Sequence, residues 1–441
     1  MIYCPPNKGF TLIETLVGSA IFVLIALSGY KAFGILMDGI SVSQAKIAGT
    51  TLANEQFEIM RNLPYTDVGI VAGLPLGKIP RTQTITKDNY VFSVETAIRN
   101  VDDTFDGTIG GSPADTSPAD YKLADLDIIC TSCKIPLVLN FATLVGPQAL
   151  ETASTNGALF VQVFDSAGLA VSGASLHIVN TQTNPDTVID EVTDSGGWLK
   201  IVDAPTGVNA YNIVATKTGY TTDKTYFPGG VAGPTPVKPD PTVVQQQVTQ
   251  TSLTIDRTSS LAVSSVDATC VALSSIGFSL TGTKLIGTPS VLKYPTQNFS
   301  TDASGSLTIP NVEWDTYSML LTSASYDLAG TTPLPSFAVS PNQNATLRLV
   351  VVPHVDRALL VSVKDSLGNA IDDATVRLQK TGFDETKATN SAACVTPGQI
   401  FWNGLSGGTY TMTVSKTGFT TNVSSPSISS AWQQVTITLS P

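Results

Sequence analysis

The chain has 441 residues, 13% of them charged, and carries 35 glycines and 26 prolines. At roughly 100–200 residues per domain this length calls for several domains, and a charge content about half the usual one beside so many turn formers favours β-structure. A net charge of −11 opposes broad binding to phosphate backbones, 42% hydrophobic residues exclude a disordered chain, and two histidines, His177 and His354, leave little for acid–base chemistry near neutral pH.

Residues 10–30 contain a single charged side chain, Glu14, and Lys31 closes the run. About 20 apolar residues cross a bilayer core as a helix, so this run predicts a spanning segment. A secretory signal peptide fits poorly: its apolar region is only about 7–15 residues long, and no A-x-A-like site lies near Ser28-Gly29-Tyr30. An ionised carboxylate inside hydrocarbon is costly unless paired, so Glu14 calls for a partner. Helical spacing continues beyond the run, with Phe33, Leu36, Ile40, Ile47, Leu52, Ile59 and Leu63 mostly three, four or seven residues apart, until Pro64 stops it. A helix over 10–63 would be roughly 80 Å long at 1.5 Å per residue.

The stretch Lys8-Gly9-Phe10-Thr11-Leu12-Ile13-Glu14-Thr15-Leu16-Val17 resembles the class III signal of type IV pilins and type II secretion pseudopilins. The resemblance implies that a prepilin peptidase cuts between Gly9 and Phe10, removing the leader 1–9 with Cys4, and that Phe10 becomes N-methylated. It also implies that Glu14 pairs with the terminal ammonium of a neighbouring subunit, which turns a costly buried charge into a registration device. The first half of the helix would span membrane or filament core, and the second half would pack beneath a head.

After Pro64 the period changes to two. Phe92-Ser93-Val94-Glu95-Thr96-Ala97-Ile98-Arg99 reads as a half-buried strand, with further strands at 121–129 and 136–144 and a glycine- and proline-bearing loop at 108–118. Helix then antiparallel sheet is the plan of pilin heads, and Arg61-Asn62-Leu63-Pro64-Tyr65, Val101-Asp102-Asp103 and Asp120-Tyr121-Lys122 also look like segments of minor-pilin heads. Cys130-Thr131-Ser132-Cys133 admits a redox pair, half a zinc site or a local disulfide. Zinc would need two more ligands and a redox pair a strand-to-helix setting, so the disulfide is favoured for an exported head. The acidic residues Asp102, Asp103, Asp106, Asp120, Asp125 and Asp127 lack the EF-hand order and read as solvated turns, leaving calcium at the head as the one cofactor to test for.

Beyond Glu151 the chain repeats itself. Val163-Phe164-Asp165-Ser166-Ala167-Gly168 returns as Val363-Lys364-Asp365-Ser366-Leu367-Gly368, and Lys217-Thr218-Gly219-Tyr220-Thr221-Thr222 as Lys416-Thr417-Gly418-Phe419-Thr420-Thr421. A more diverged copy lies between, matched by the equal spacing of Gly305 to Tyr317 and Gly398 to Tyr410. The predicted organisation is a leader 1–9, a helix 10–63, a head sheet 64–150, and sandwich modules at 151–256, 257–353 and 354–441. The fold class is α+β: a long helix with an antiparallel head, then three tandem Ig-like Greek-key β-sandwiches. The Asp-x-x-Gly turns at Asp165, Asp302 and Asp365 read as β-turn chemistry. The proline-rich piece 228–241 reads as a stiff loop inside the first module.

From 157 to the end the pattern resembles carboxypeptidase-regulatory-like and collagen-binding-adhesin B-type domains, a likeness that speaks to fold rather than activity. Some of those adhesin domains form a Lys–Asn crosslink. Here Leu359, Val361 and Val363 set the inward face, which turns Lys364 outward, and the last strand offers no Asn or Asp. His177 and His354 read as surface or strand histidines, no zinc-protease motif is present, and the pairing of Cys270 and Cys394 is left open.

The function implied is that of a large minor pilin of a type IV pilus-like filament, a non-enzymatic subunit presenting its modules for surface or cell adhesion. Its partners would be the prepilin peptidase, other pilins, the assembly platform, the inner membrane before assembly and an unknown surface ligand, with no nucleic acid. The alternatives are a pseudopilin of a type II secretion-type machine and a membrane-anchored adhesin.

Overall fold

The computed structural model describes residues 11–147, 153–390, 394, 396–429 and 432–441. The predicted leader, with Gly9 and Phe10, lies outside these residues.

Helix α1 runs over Leu12–Asn62, about 77 Å at 1.5 Å per residue, and ends where Pro64 would remove a backbone donor. Its C-terminal half lies on the head through Ala45, Ala48, Gly49, Leu52, Ala53, Gln56, Phe57 and Met60. These positions follow the three- and four-residue spacing of one helix face. The stripe expected from the large apolar residues is therefore corrected: Phe33, Leu36, Ile40, Ile47 and Ile59 are all exposed, and of that set only Leu52 is fully buried. The cause is steric. A Cβ at Gly49 would lie 2.6 Å from Leu139 Cδ1, so at Ala45, Ala48, Gly49 and Ala53 small residues let the helix approach the sheet, while Leu52, Phe57 and Met60 fill the space beside them.

The head is a single antiparallel sheet in the order β1 (Thr82–Lys87), β2 (Tyr90–Val101), β3 (Tyr121–Cys130), β4 (Leu137–Val145). Phe92, Val94, Ala124, Leu126 and Ile128 alternate inward against α1, as a half-buried sheet requires.

Three sandwiches follow. The first packs β10–β9–β6–β7 on β12–β5–β8, with β5 Gly157–Phe164, β6 Ser175–Asn180, β7 Thr187–Val192, β8 Trp198–Ala204, β9 Tyr211–Thr216, β10 Asp223–Lys224 and, after the short β11 (Thr235–Pro236), β12 Val248–Thr254. The second packs β18–β13–β22–β20 on β17–β14–β19–β21. Its strands are β13 Ser259–Val266, β14 Gly277–Gly282, the hairpin β15 Leu285–Thr288 and β16 Val291–Leu292, β17 Gln297–Ser300, β18 Ser306–Val312, β19 Asp315–Leu321, β20 Tyr326–Thr332, β21 Ser336–Val339 and β22 Asn344–Pro353. The third packs β26–β23–β31 on β25–β24–β28–β29, with β23 Leu359–Asp365, β24 Thr375–Lys380, β25 Phe383–Ala388, β26 Gln399–Trp402, β27 Gly408–Thr409, β28 Thr411–Ser415, β29 Asn422–Ser424, β30 Ser427–Ile428 and β31 Gln433–Leu439.

The sandwiches share devices that local sequence explains. In each, the first strand pairs in parallel with the last: β5 with β12, β13 with β22, β23 with β31. A glycine with left-handed backbone precedes β8, β18 and β26: Gly197 (φ 74°), Gly305 (φ 73°) and Gly398 (φ 64°). A Cβ there would sit 2.6 Å from Val163 O, 2.9 Å from Ser265 O and 2.7 Å from Val363 O, so a side chain is excluded twice over. Buried tyrosines Tyr211, Tyr317 and Tyr410 each donate their hydroxyl to a nearby carbonyl, of Pro205, Glu313 and Ser406 at 2.6, 2.9 and 3.0 Å.

The two joints between sandwiches differ. At the first, β11 of the proline-rich piece pairs with β15 of the second sandwich, matching Thr235 to Thr288 and Pro236 to Gly287. The piece read as a loop within one module is thus a strand lent to the next. At the second joint Leu360, Phe401 and Trp432 of the third sandwich pack into the core of the second. This explains why Leu360 and Ser362 are buried along with Leu359, Val361 and Val363: both faces of β23 are covered, and simple alternation fails there.

Candidate functional site

The start of α1 is built from Thr11 and Glu14. Thr11 is the N-cap, its hydroxyl accepting from the Glu14 backbone N–H at 3.3 Å, and the Glu14 carboxylate reaches back to the Thr11 N–H at 3.5 Å. This reciprocal box satisfies two of the backbone donors that a helix start leaves open and puts a negative charge at the positive end of the helix dipole. Thr11-Leu12-Ile13-Glu14 carries that signature in its sequence. From Leu12 to Ile40 the large apolar side chains are exposed, among them Phe22 at 71%. An apolar, unpacked helix of this length suits hydrocarbon or a bundle of like helices.

In the head, Cys130 and Cys133 are joined by a disulfide across the β3–β4 turn, their Cα atoms 5.5 Å apart. Lys122 is buried beneath the turn that follows α1, donating to the carbonyls of Tyr65 and Val68 at 2.8 and 2.6 Å. Burial pushes its amine down to about 8. Asp103, Asp106 and Asp120 bring one carboxylate oxygen each within 4.8 Å of one another. Their loop uses the carboxylates internally: Asp120 accepts from the Asp103 N–H at 2.6 Å, Asp103 from Phe105 at 2.8 Å, and Asp102 from Ile109 at 2.9 Å. Burial raises the Asp102 carboxyl pKa. Three carboxylate oxygens are fewer than the six to eight ligands that calcium takes. Asp125 and Asp127 lie on β3 instead, where Asp125 pairs with Arg99 and Asp127 accepts from Asn140.

The histidines stand apart in different sandwiches, each against an aspartate. His177 Nδ1 lies 2.5 Å from Asp190, and His354 Nδ1 lies 2.7 Å from Asp327, whose hydrogen bond raises the His354 pKa. Lys364 sits half-buried on β23 opposite Thr438 of β31. Asp302–Gly305 precedes β18 and corresponds to Asp194–Gly197, whereas the second sandwich's counterpart of Asp165–Gly168 is Asp267-Ala268-Thr269-Cys270, with Cys270 at φ 67° in the glycine's place. Cys270 is bonded to Cys394, Cα atoms 5.1 Å apart and 124 residues along the chain.

A cleft of about 560 Å³ opens at the first joint, between the turn of Tyr220 and Thr222 and the residues Lys284, Lys293, Tyr294 and Glu313. Glu313 binds both lysines, at 2.8 and 2.9 Å, Lys293 also donates to Thr222 O at 2.8 Å, and Lys284 lies over the Trp314 ring. Burial lowers the Lys284 pKa despite these partners.

Residues 4–30 match the family described as the prokaryotic N-terminal methylation motif. That motif implies processing by a prepilin peptidase and assembly with other pilins, and with the apolar helix it fits an N-terminally anchored membrane protein with an extracellular head. No curated protein matches the chain. Among solved structures, the Bacillus anthracis TIE protein is 12% identical with a TM-score of 0.20, covering 82% of this chain and 73% of that one. GBS52, a minor pilin of Streptococcus agalactiae, is 12% identical with a TM-score of 0.17, covering 41% and 95%. BcpA, the major pilin subunit of Bacillus cereus, is 12% identical with a TM-score of 0.18, covering 65% and 99%. Likeness at these scores carries no argument, so the helix and sandwiches stand on the chain's own residues.

Proposed function

We infer that the chain is a minor pilin of a type IV pilus-like filament, a structural subunit without catalysis that holds three sandwiches away from the filament for contact with a surface or a cell. The observation that carries this reading is a methylation motif that runs into an apolar helix whose first 29 residues expose their large side chains and whose first turn holds a single carboxylate. In an assembled bundle the outward Ile40, Ile47 and Ile59 would meet neighbouring helices, and Glu14 would pair with the ammonium of a neighbour's Phe10. Three sandwiches on every subunit would crowd a filament whose helices pack about 10 Å apart, which favours a low-copy place near the tip.

The test is the N-terminus by mass spectrometry in sheared surface filaments and in the membrane fraction. N-methylated Phe10 in both is expected. Methylated protein confined to the membrane would favour a secretion pseudopilin, and an intact Met1 or a cut near Tyr30 would overturn the filament reading. Glu14→Ala should leave cleavage largely intact and remove most of the protein from sheared filaments, and normal incorporation would remove the ion-pair role.

A further inference from the structure

We propose that the Cys270–Cys394 disulfide is a mechanical staple that makes the second and third sandwiches inextensible over most of their length when the chain is pulled from its ends. The argument is one of path. Tension entering the second sandwich along β13 reaches Cys270 four residues after that strand, crosses the disulfide to Cys394, and continues directly into β26 of the third. Everything from β14 to β25 lies inside the closed loop and outside the path of force. A separation of 124 residues corresponds to roughly 400–450 Å of extended chain withheld. The head disulfide has no such effect, since Cys130 and Cys133 are three residues apart.

Three further observations place this bond at a built joint. Cys270 occupies the turn position held by Gly168 (φ 79°) and Gly368 (φ 90°) in the other two sandwiches, at φ 67°. A side chain is disfavoured in that conformation, so turn geometry alone would choose glycine, and the sulfur accounts for the exception. Cys394 is fully buried, and its backbone N–H donates to Ala268 O across the joint at 3.1 Å. The sandwiches are also locked beside it: buried Gln399 accepts from the Thr331 N–H at 3.0 Å and donates to Thr331 O at 2.6 Å, and the Trp432 indole donates to Leu328 O at 2.9 Å. A Cβ on Gly330 would lie 2.5 Å from Thr396 Cγ2, which shows how closely the backbones approach.

The experiment is single-molecule stretching of the full-length chain in detergent, held at its two ends, with and without a phosphine reductant that converts the disulfide to two thiols. Without reductant, the summed extension on complete unfolding should fall short of the whole chain by roughly 400–450 Å, and reductant should restore it. Sandwiches two and three together would then release three to four times more length than before. Cys270→Ser should behave as the reduced protein under all conditions, and Cys130→Ser should leave the shortfall unchanged. Equal total extension with and without reductant would overturn the proposal. If Cys270→Ser does not fold, the wild-type comparison alone still decides.

Discussion

The second sandwich is joined to its neighbours in opposite ways. Toward the first it presents charge: Glu313 between Lys284 and Lys293, a borrowed strand of two residues, and an open cleft. Toward the third it presents apolar surface, a buried glutamine clamp and a covalent bond. Partly exposed ion pairs contribute little and weaken with salt, whereas dry packing and a crosslink do not depend on ionic strength. One fold repeated three times therefore does not make two equivalent joints. The residues that decide lie outside the shared sandwich cores.

The contrast can be broken most sharply at the crosslink. Replacing Cys270 and Cys394 together by serine should cost about 5 kcal/mol by the loop-entropy relation for a closed loop of this length, read as a fall in the denaturant midpoint of the distal sandwiches. Gln399→Ala should cost about 2–3 kcal/mol in the same measurement, because the Thr331 N–H and C=O would be left buried without their partner. Glu313→Ala removes two ion pairs within the second sandwich, at the rim of the first joint, and should cost about 1 kcal/mol at low salt and less at high salt, since its side chain and both lysines retain about a fifth of their exposure. Loss of the same free energy at both salt concentrations would show that the two ion pairs do not account for the contribution of Glu313.

The smallest effect concerns His354 beside Asp327. Because its folded pKa is raised above the ordinary value near 6.5, this pair stabilises fully below that value and its contribution disappears as pH rises through the raised pKa. His354→Ala should therefore lower the melting midpoint at pH 5.5 and leave it nearly unchanged at pH 9. A deficit that grows with pH would contradict the assignment.

The helix, its stop at Pro64 and the main head strands were legible because each changes the hydrophobic period. The helix face was not, because Ile47 and Ile59 outweigh Ala45 and Ala48 in any reading of hydrophobicity, while the sheet's Leu139 and Phe92 crowd the helix at Gly49. Strand β1, Thr82–Lys87, escaped because an edge strand needs no apolar alternation: exposed Thr82, Thr84 and Thr86 alternate with half-buried Gln83, Ile85 and Lys87, of which only Ile85 is apolar. The second sandwich's first turn carries no Asp-x-x-Gly signature for a chemical reason: cysteine stands where its sisters have glycine. Its partner lies 124 residues away in another sandwich, a distance that no local pattern spans. The proline-rich piece looked like a loop because its β11 has only two residues and the strand it pairs with belongs to the next repeat.

That lent strand bears on how the chain can be cut for study. A fragment ending at 256 would keep Thr235 and Pro236 but lose Thr288 and Gly287, while one starting at 257 would carry the β15–β16 hairpin with a bare edge. The Ile286 carbonyl would lose the Val237 N–H that lies 2.9 Å away, and the exposed edge would invite pairing between copies. Repeat boundaries that look natural on paper would thus yield sticky pieces. A soluble preparation is better begun before Gly157 and carried through Pro441, with all three sandwiches left on one polypeptide.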